Sequence, residues 1–190
     1  MDGFKLPKGR GGVSILWPLH WSNRIKKLSD GNERVIAITI SASTNICLIN
    51  AYMPTNGTDS HTEYSECLDI IFDIIDRYQN SHKIILVGDL NATLQEYRSN
   101  KQDKLLKKFV SEMKLTTGKE MPEEHTFFHH AGNSSSQIDY ILVQDLDIMA
   151  DYVIEEKSYA NTSAHTAVKV VTTVYMPNKW KVKHKKNSKI

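Results

Sequence analysis

Two cysteines among 190 residues are too few for the disulfide framework that holds small secreted domains together. Cys47 falls in an apolar stretch with a strand pattern and Cys67 in one with a helical pattern, so both read as buried thiols of an intracellular protein. No apolar run approaches the roughly 20 residues that a membrane-spanning helix requires, which excludes a helical membrane protein. Residues 1–10 lack the apolar core of a secretion signal. Internal repeats are absent, and no linker interrupts the chain before its last residues. What remains is one domain, residues 1–176, long enough to bury a sizeable core. Its 40% hydrophobic and 24% charged residues are ordinary for a globular chain.

The body of the chain also lacks a basic excess. The formal net charge is +2, but residues 179–190 hold six lysines and no acid; without them 18 basic residues face 22 acidic ones, about −4. Gross charge therefore does not mark the body as a nucleic-acid binder. The segment 177–190 reads as a basic, disordered tail, suited to phosphates, an acidic partner or an import receptor.

Against these absences stands a regular alternation of strands and helices. Gly11-Gly12-Val13-Ser14-Ile15-Leu16-Trp17 reads as a strand closed by Pro18. Residues 24–28 and 33–40 read as a hairpin around Ser29-Asp30-Gly31-Asn32, with Asp-Gly as its turn. After a turn at 41–45, residues 46–52 form a strand ended by Pro54. Ser60-His61-Thr62-Glu63 is a capping-box pattern opening a helix to about Tyr78, with Tyr64, Leu68, Ile71, Ile75 and Tyr78 on one face. Ile84-Ile85-Leu86-Val87 is a strand buried on both faces. Ser99-Asn100-Lys101-Gln102 repeats the capping pattern ahead of a helix with Leu105, Leu106, Phe109, Val110 and Met113 inward. Thr126-Phe127-Phe128 looks like a strand, 129–136 a solvated loop, 137–143 the returning strand and 167–175 the last. His129 and His130 in that loop have no zinc-site spacing and no accompanying cysteine. Strands outnumber helices, and the helices fall between strand groups, which predicts a layered α/β domain with sheet packed on sheet.

The chemistry gathers at strand ends. Gly88 closes the buried strand, and Asp89 and Asn91 follow at i and i+2, positions that project to one side on extended backbone. A carboxylate beside a carboxamide on a rigid element suits a divalent metal, a phosphate or an attacking water. The same residue types also make plain strand exits, and this segment alone leaves both readings open. Asp139 lies among apolar residues in Gln137-Ile138-Asp139-Tyr140-Ile141-Leu142, where a charge needs a partner. His165, just before the final strand, is the natural one: a carboxylate fixes the imidazole tautomer and suits it to phosphate binding or proton transfer. A satisfied core pair without catalysis is the alternative.

Asn50-Ala51-Tyr52-Met53-Pro54, Gly88-Asp89-Leu90-Asn91, Thr126-Phe127-Phe128, Gln137-Ile138-Asp139-Tyr140 and Ser163-Ala164-His165 occur in this order. Together they resemble the endonuclease/exonuclease/phosphatase superfamily, and within it the apurinic-type endonuclease domain of LINE-type (non-LTR) retrotransposons. The strand at 11–17 looks like that family's mid-domain strand, so the resemblance spans residues 10–175. It implies a four-layered α/β sandwich that hydrolyses phosphodiester bonds with Mg²⁺ or Mn²⁺, with DNA as substrate. Carried over by motif, Asp89 would orient or deprotonate the attacking water and, with Asn91, offer metal ligands. Asn91 would also contact the phosphate. His165 would bind the scissile phosphate, and Asp139 would orient His165. Tyr52 would contact the phosphate or assist the leaving group, and Thr126 and Ser163 would position substrate. The loop at 129–136 would probe the DNA groove. The family's role, with the lysine-rich tail, suggests a nuclear location.

The family pattern is not complete here. Its domain usually begins before the point matching Arg10, with an asparagine on the first strand and a metal-ligating glutamate, so the resemblance implies an N-terminally truncated domain. Such a domain would expose sheet edge and core and favour marginal stability or association. The last motif usually reads Ser-Asp-His, and Ala164 stands at the aspartate. Loss of both carboxylates implies weak metal binding and impaired nicking. Two other readings follow: a non-catalytic binding module that kept the fold, and another phosphodiesterase or phosphatase of the superfamily, since fold does not fix substrate.

Overall fold

The computed structural model describes residues 12–57, 60–118, 124–132 and 134–176. The expectations for residues 1–11 and for the basic tail 177–190 lie outside the described residues.

Five strands form the main sheet: β1 (Ile25–Gly31), β2 (Val35–Ile40), β3 (Ile46–Tyr52), β4 (Lys83–Asp89) and, later in the chain, Asp139–Val143. Helix α1 (Ser60–Tyr78) carries the chain from β3 to β4, the one parallel pair of this sheet, and helix α2 (Lys101–Glu112) follows β4. Beyond α2 come the two-residue strands β5 (Phe127–Phe128) and β6 (Ser135–Ser136), then β7 (Asp139–Val143). The order across the sheet is β1-β2-β3-β4-β7, with β7 antiparallel to β4. Two further strands, β8 (Met149–Ile154) and β9 (Val168–Thr172), pair antiparallel in a separate small sheet.

Burial on both faces of β4 follows from this layering. Ile84 and Leu86 enter the larger core with Tyr64, Ile71 and Ile75 of α1 and with Leu106 and Phe109 of α2. The alternate residues Ile85 and Val87 turn to a second cluster with Ile46, Val143 and Ile148, on the side of the small sheet. Period-two alternation thus divides one apolar run between two cores. Cys47 and Cys67 are free and buried, as their patterns imply. Burial, reinforced by the charge of Asp30, pushes the Cys47 thiol up to about 12, so it stays protonated and inert.

Several local expectations are corrected. Residues 12–17 form no strand; Gly12 donates one backbone bond to Glu33 O and Ser14 O accepts from Asn50 Nδ2, but no sheet edge takes up the segment. The first hairpin turns one step later than Asp-Gly suggests. Gly31 remains paired with Ile36 at φ +131°, and Asn32 Oδ1 accepts from the N–H groups of Arg34 and Val35. An ideal Cβ on Gly31 would meet Val35 O at 2.2 Å, so only glycine fits there. Ser60 and Glu63 do not close a capping box: Ser60 Oγ accepts from Gly57 N–H, and Glu63 pairs with Arg34. The α2 box is shifted by one residue, to Asn100 and Asp103. Strand β7 begins at Asp139 rather than 137, because Ser135–Ser136 pairs separately with Phe127–Phe128. The last strand is shorter than 167–175, and its partner β8 was not legible in the sequence.

Candidate active site

The site is built where β3, β4 and β7 end together. In the parallel ladder Tyr52 lies opposite Asp89, and in the antiparallel one Asp89 lies opposite Asp139. All three therefore share one face, the face that carries Ile85 and Val87 lower on β4. Gly88 makes the approach possible. Its φ is +134°, and an added Cβ would stand 1.9 Å from Ala51 O, so β4 lies against β3 at a point no side chain could occupy.

His165 reaches the same place from outside the main sheet. It forms a bridge with Phe127, while Phe128 N–H donates to Ala164 O and Thr166 N–H to Thr126 O. Its Nδ1 stands 3.0 Å from Asp139 Oδ2, the pairing expected for a charge in an apolar strand. The Phe127 ring packs against the imidazole, centroids 5.0 Å apart. One ligating atom each from Asp89, Asp139 and His165 all lie within 4.8 Å of one another. Two carboxylate oxygens and an imidazole nitrogen at that spacing suit a divalent cation.

Electrostatics set Asp89 apart. Burial, then the neighbouring charge of Asp139, pushes its carboxyl up to about 6, against the opposing pull of the Asn91 N–H and His165. A carboxylate with an affinity near neutrality is suited to accept a proton at working pH.

The remaining sequence candidates lie around this centre. Asn91 does not continue an extended strand: at φ +49° it is left-handed, its N–H donates to Asp89 Oδ1 at 3.0 Å, and its Nδ2 donates to Met53 O at 2.8 Å. The pair forms an Asx turn, in which Asn91 steadies Asp89 instead of projecting beside it. Thr126 is fully buried, and its Oγ1 accepts from the N–H groups of Ile138 and Asp139, both at 3.0 Å. It fixes the entry to β7 beside Asp139. Ser163 Oγ accepts from His165 N–H at 3.0 Å, which shapes the turn that presents the imidazole. Tyr52 is half-buried at the end of β3, with the Arg34 guanidinium over its ring at 5.8 Å.

Two residues carry no role in the sequence reading. Asn161 brackets the His165 turn, accepting from Ser163 N–H and donating to His165 O; the spacing of turn formers in Asn161-Thr162-Ser163 was its signal. Phe127 buttresses His165, and its place next to Thr126 was the available hint.

The arrangement has the nuclease/phosphodiesterase fold of the endonuclease/exonuclease/phosphatase superfamily, with a two-carboxylate and imidazole centre at the strand ends. Residues 46–169 match the family model described as endonuclease–reverse transcriptase, and the chain belongs to that family. Among solved structures it is similar to the endonuclease domain of TRAS1, a telomere-specific non-LTR retrotransposon. That match has 14% identity and a TM-score of 0.63, and covers 80% of this chain and 66% of that one. It is similar also to the 3′ phosphatase NExo from Neisseria bound to a product DNA hairpin (17% identity, TM-score 0.62, 78% and 70% covered). A third is an AP endonuclease from Archaeoglobus fulgidus (16%, TM-score 0.59, 74% and 65%). The chain spans about two thirds of the length of these structures. No curated protein matches it. No helix among the described residues is long and apolar enough to cross a membrane.

Proposed function

We propose that the chain carries the phosphodiester-handling centre of a retrotransposon-type DNA endonuclease, with a weakened metal side. The observation that supports this is the convergence of Asp89, Asp139 and His165 within 4.8 Å in a chain of the endonuclease–reverse transcriptase family. In this reading Asp89 accepts the proton of the attacking water while Asn91 holds the Asp89 carboxylate in place. Asp139 accepts from His165 Nδ1–H, which leaves Nε2 for a phosphate oxygen and its developing charge. The water oxygen bonds to phosphorus, the P–O3′ bond breaks, and the leaving oxygen becomes a 3′-hydroxyl with a proton supplied through the Tyr52 phenol. A 3′-hydroxyl is what reverse transcription extends, and nuclear DNA is the target that such a role implies.

Asp89, with the Asp139 oxygen that His165 leaves free, would hold a divalent ion such as Mg²⁺ or Mn²⁺, and the ion would supply Lewis-acid neutralisation of the phosphate oxygens. Carboxylates provide most of the affinity for a hard cation. Ala164 adds a methyl group beside His165 where the superfamily motif has a carboxylate, and Asp139 is already engaged by His165. Metal binding is therefore weak, and nicking by the chain as written is little above background. Ala164 also favours a second reading, a DNA-binding module that kept the fold without turnover.

A supercoiled-plasmid nicking assay in Mg²⁺ and in Mn²⁺, with EDTA and His165→Ala as controls, tests the proposal. Slow nicking lost in both controls is the expected result. Robust nicking would overturn the impairment, and nicking that survives His165→Ala would overturn the site. Binding of the same DNA without any nicking would favour the module.

A further inference from the structure

Tyr52 ends β3 with its backbone held from two sides, and one residue supplies most of the hold. Arg34 stands between the Asn32 turn and β2. Its own N–H is fixed by Asn32 Oδ1 at 2.8 Å, and its carbonyl accepts from Tyr52 N–H at 2.8 Å. Its side chain then doubles back over the same tyrosine. Nη1 donates to Tyr52 O at 3.4 Å, and Cζ lies 5.8 Å from the centre of the phenol ring. Nε donates to Glu63 Oε1 of α1 at 2.6 Å. The Arg34 side chain is only 17% exposed, against 47% for Glu63.

We infer that Arg34, locked by Glu63, is the positioning residue that sets the Tyr52 phenol over the phosphate site. The inference rests on the proposed role of Tyr52 as a phosphate or leaving-group contact. The guanidinium is suited to the task because its planar fork makes two directed bonds while its face covers a ring. The carboxylate of Glu63 is needed because a long arginine side chain free at a strand end would sample several rotamers, and the ring with it. Helix α1 thereby acts on the Tyr52 side of the site through Glu63, apart from the bond its Tyr64 makes to Leu90 O. The sequence offered Glu63 as a helix cap; in the fold it anchors Arg34 instead.

The test uses the full chain labelled with 3-fluorotyrosine and read by ¹⁹F NMR. The sequence has eight tyrosines, and the Tyr52 resonance is the one absent from Tyr52→Phe. In Arg34→Met the Tyr52 resonance is expected to move and broaden while the other seven stay in place. Arg34→Lys, which returns a cation without the fork, is expected to recover part of the wild-type position, and Glu63→Gln to shift the resonance in the same direction as Arg34→Met. If Arg34→Met does not fold, seen as displacement of the other seven, Glu63→Gln carries the decision. A Tyr52 resonance that coincides with wild type in the deciding variant overturns the inference.

A second arm measures the affinity of a short fluorescent DNA duplex. Arg34→Met is expected to bind about tenfold more weakly, and Arg34→Met/Tyr52→Phe no more weakly than Tyr52→Phe alone. Fully additive losses overturn the coupling. The NMR arm needs neither DNA nor turnover, so a chain that binds no DNA would contradict the proposed function while the positioning role is still decided.

Discussion

Asp89 and Asp139 oppose each other across β4 and β7, and two like charges that close cost free energy when both are ionised. The cost falls on Asp89, whose carboxyl rises from 3.8 to about 6, chiefly by burial and then by Asp139. The direction fixes a pH dependence. Between about pH 4 and pH 6 the unfolded chain has released this proton and the folded chain retains it, so stability falls as pH rises through that window. Asp89→Asn removes the charge, and is expected to raise the melting temperature at pH 8 but leave it unchanged near pH 3.5. The gain is on the order of 2 kcal/mol, read by thermal melts in EDTA. A destabilised variant at pH 8 would contradict the burial argument. Asp139 and His165 were legible in the sequence because a charge inside an apolar strand needs a partner. The left-handed conformation of Asn91 was not, since a left-handed turn and an extended strand exit use the same Gly-Asp-x-Asn letters.

At the scale of elements, the loop after Asn91 is tied down by a buried carboxylate. Asp103 is fully buried at the start of α2. It accepts from Thr93 N–H and Asn100 N–H, both at 2.8 Å, and from the Arg98 guanidinium. Burial pushes its carboxyl up, but those donors outweigh it and hold it below its ordinary value. Tyr140 closes the other side of the loop, its hydroxyl accepting from Leu94 N–H. Asp103→Ala strips the partners from Arg98 and two N–H groups, and is expected to cost about 3 kcal/mol in urea denaturation. A loss under about 0.5 kcal/mol would show that the network is not what holds the loop. Gly88→Ala meets Ala51 O at a positive φ, and is expected to abolish the folded state or cost more than about 3 kcal/mol. The sequence placed α1, β3 and β4 almost to the residue, because long amphipathic and uniformly apolar runs carry their own period. It missed the caps by one residue or more, because cap side chains choose among neighbouring donors that only the packed chain brings close.

For the whole molecule, the unequal sheets matter most. Among the described residues five strands face two, and a gap of about 240 Å³ opens between them, lined by Ile40, Leu48, Ile85, Val87, Val170 and Val174 among others. Apolar surface left open in this way binds apolar dyes. The folded chain is expected to enhance the fluorescence of anilinonaphthalene sulfonate while keeping its tertiary near-ultraviolet signal. No enhancement would mean that the gap is closed in solution. The layered α/β architecture was readable from the order of elements, whereas the smallness of the second sheet was not. Strand β8 carries Asp151 amid its apolar residues, and this broke the pattern that would have announced it.

On the proposed reading, Asp89, Asp139 and His165 form one cation- and phosphate-handling centre whose metal side is thinned at Ala164. Calorimetric titration of Mn²⁺ into the wild-type chain, Ala164→Asp and Asp89→Asn decides it. The expected result is weak binding by the wild type, at about millimolar strength, at least about tenfold tighter binding by Ala164→Asp, and none by Asp89→Asn. Micromolar binding that Ala164→Asp does not improve, or binding that survives Asp89→Asn, would contradict it.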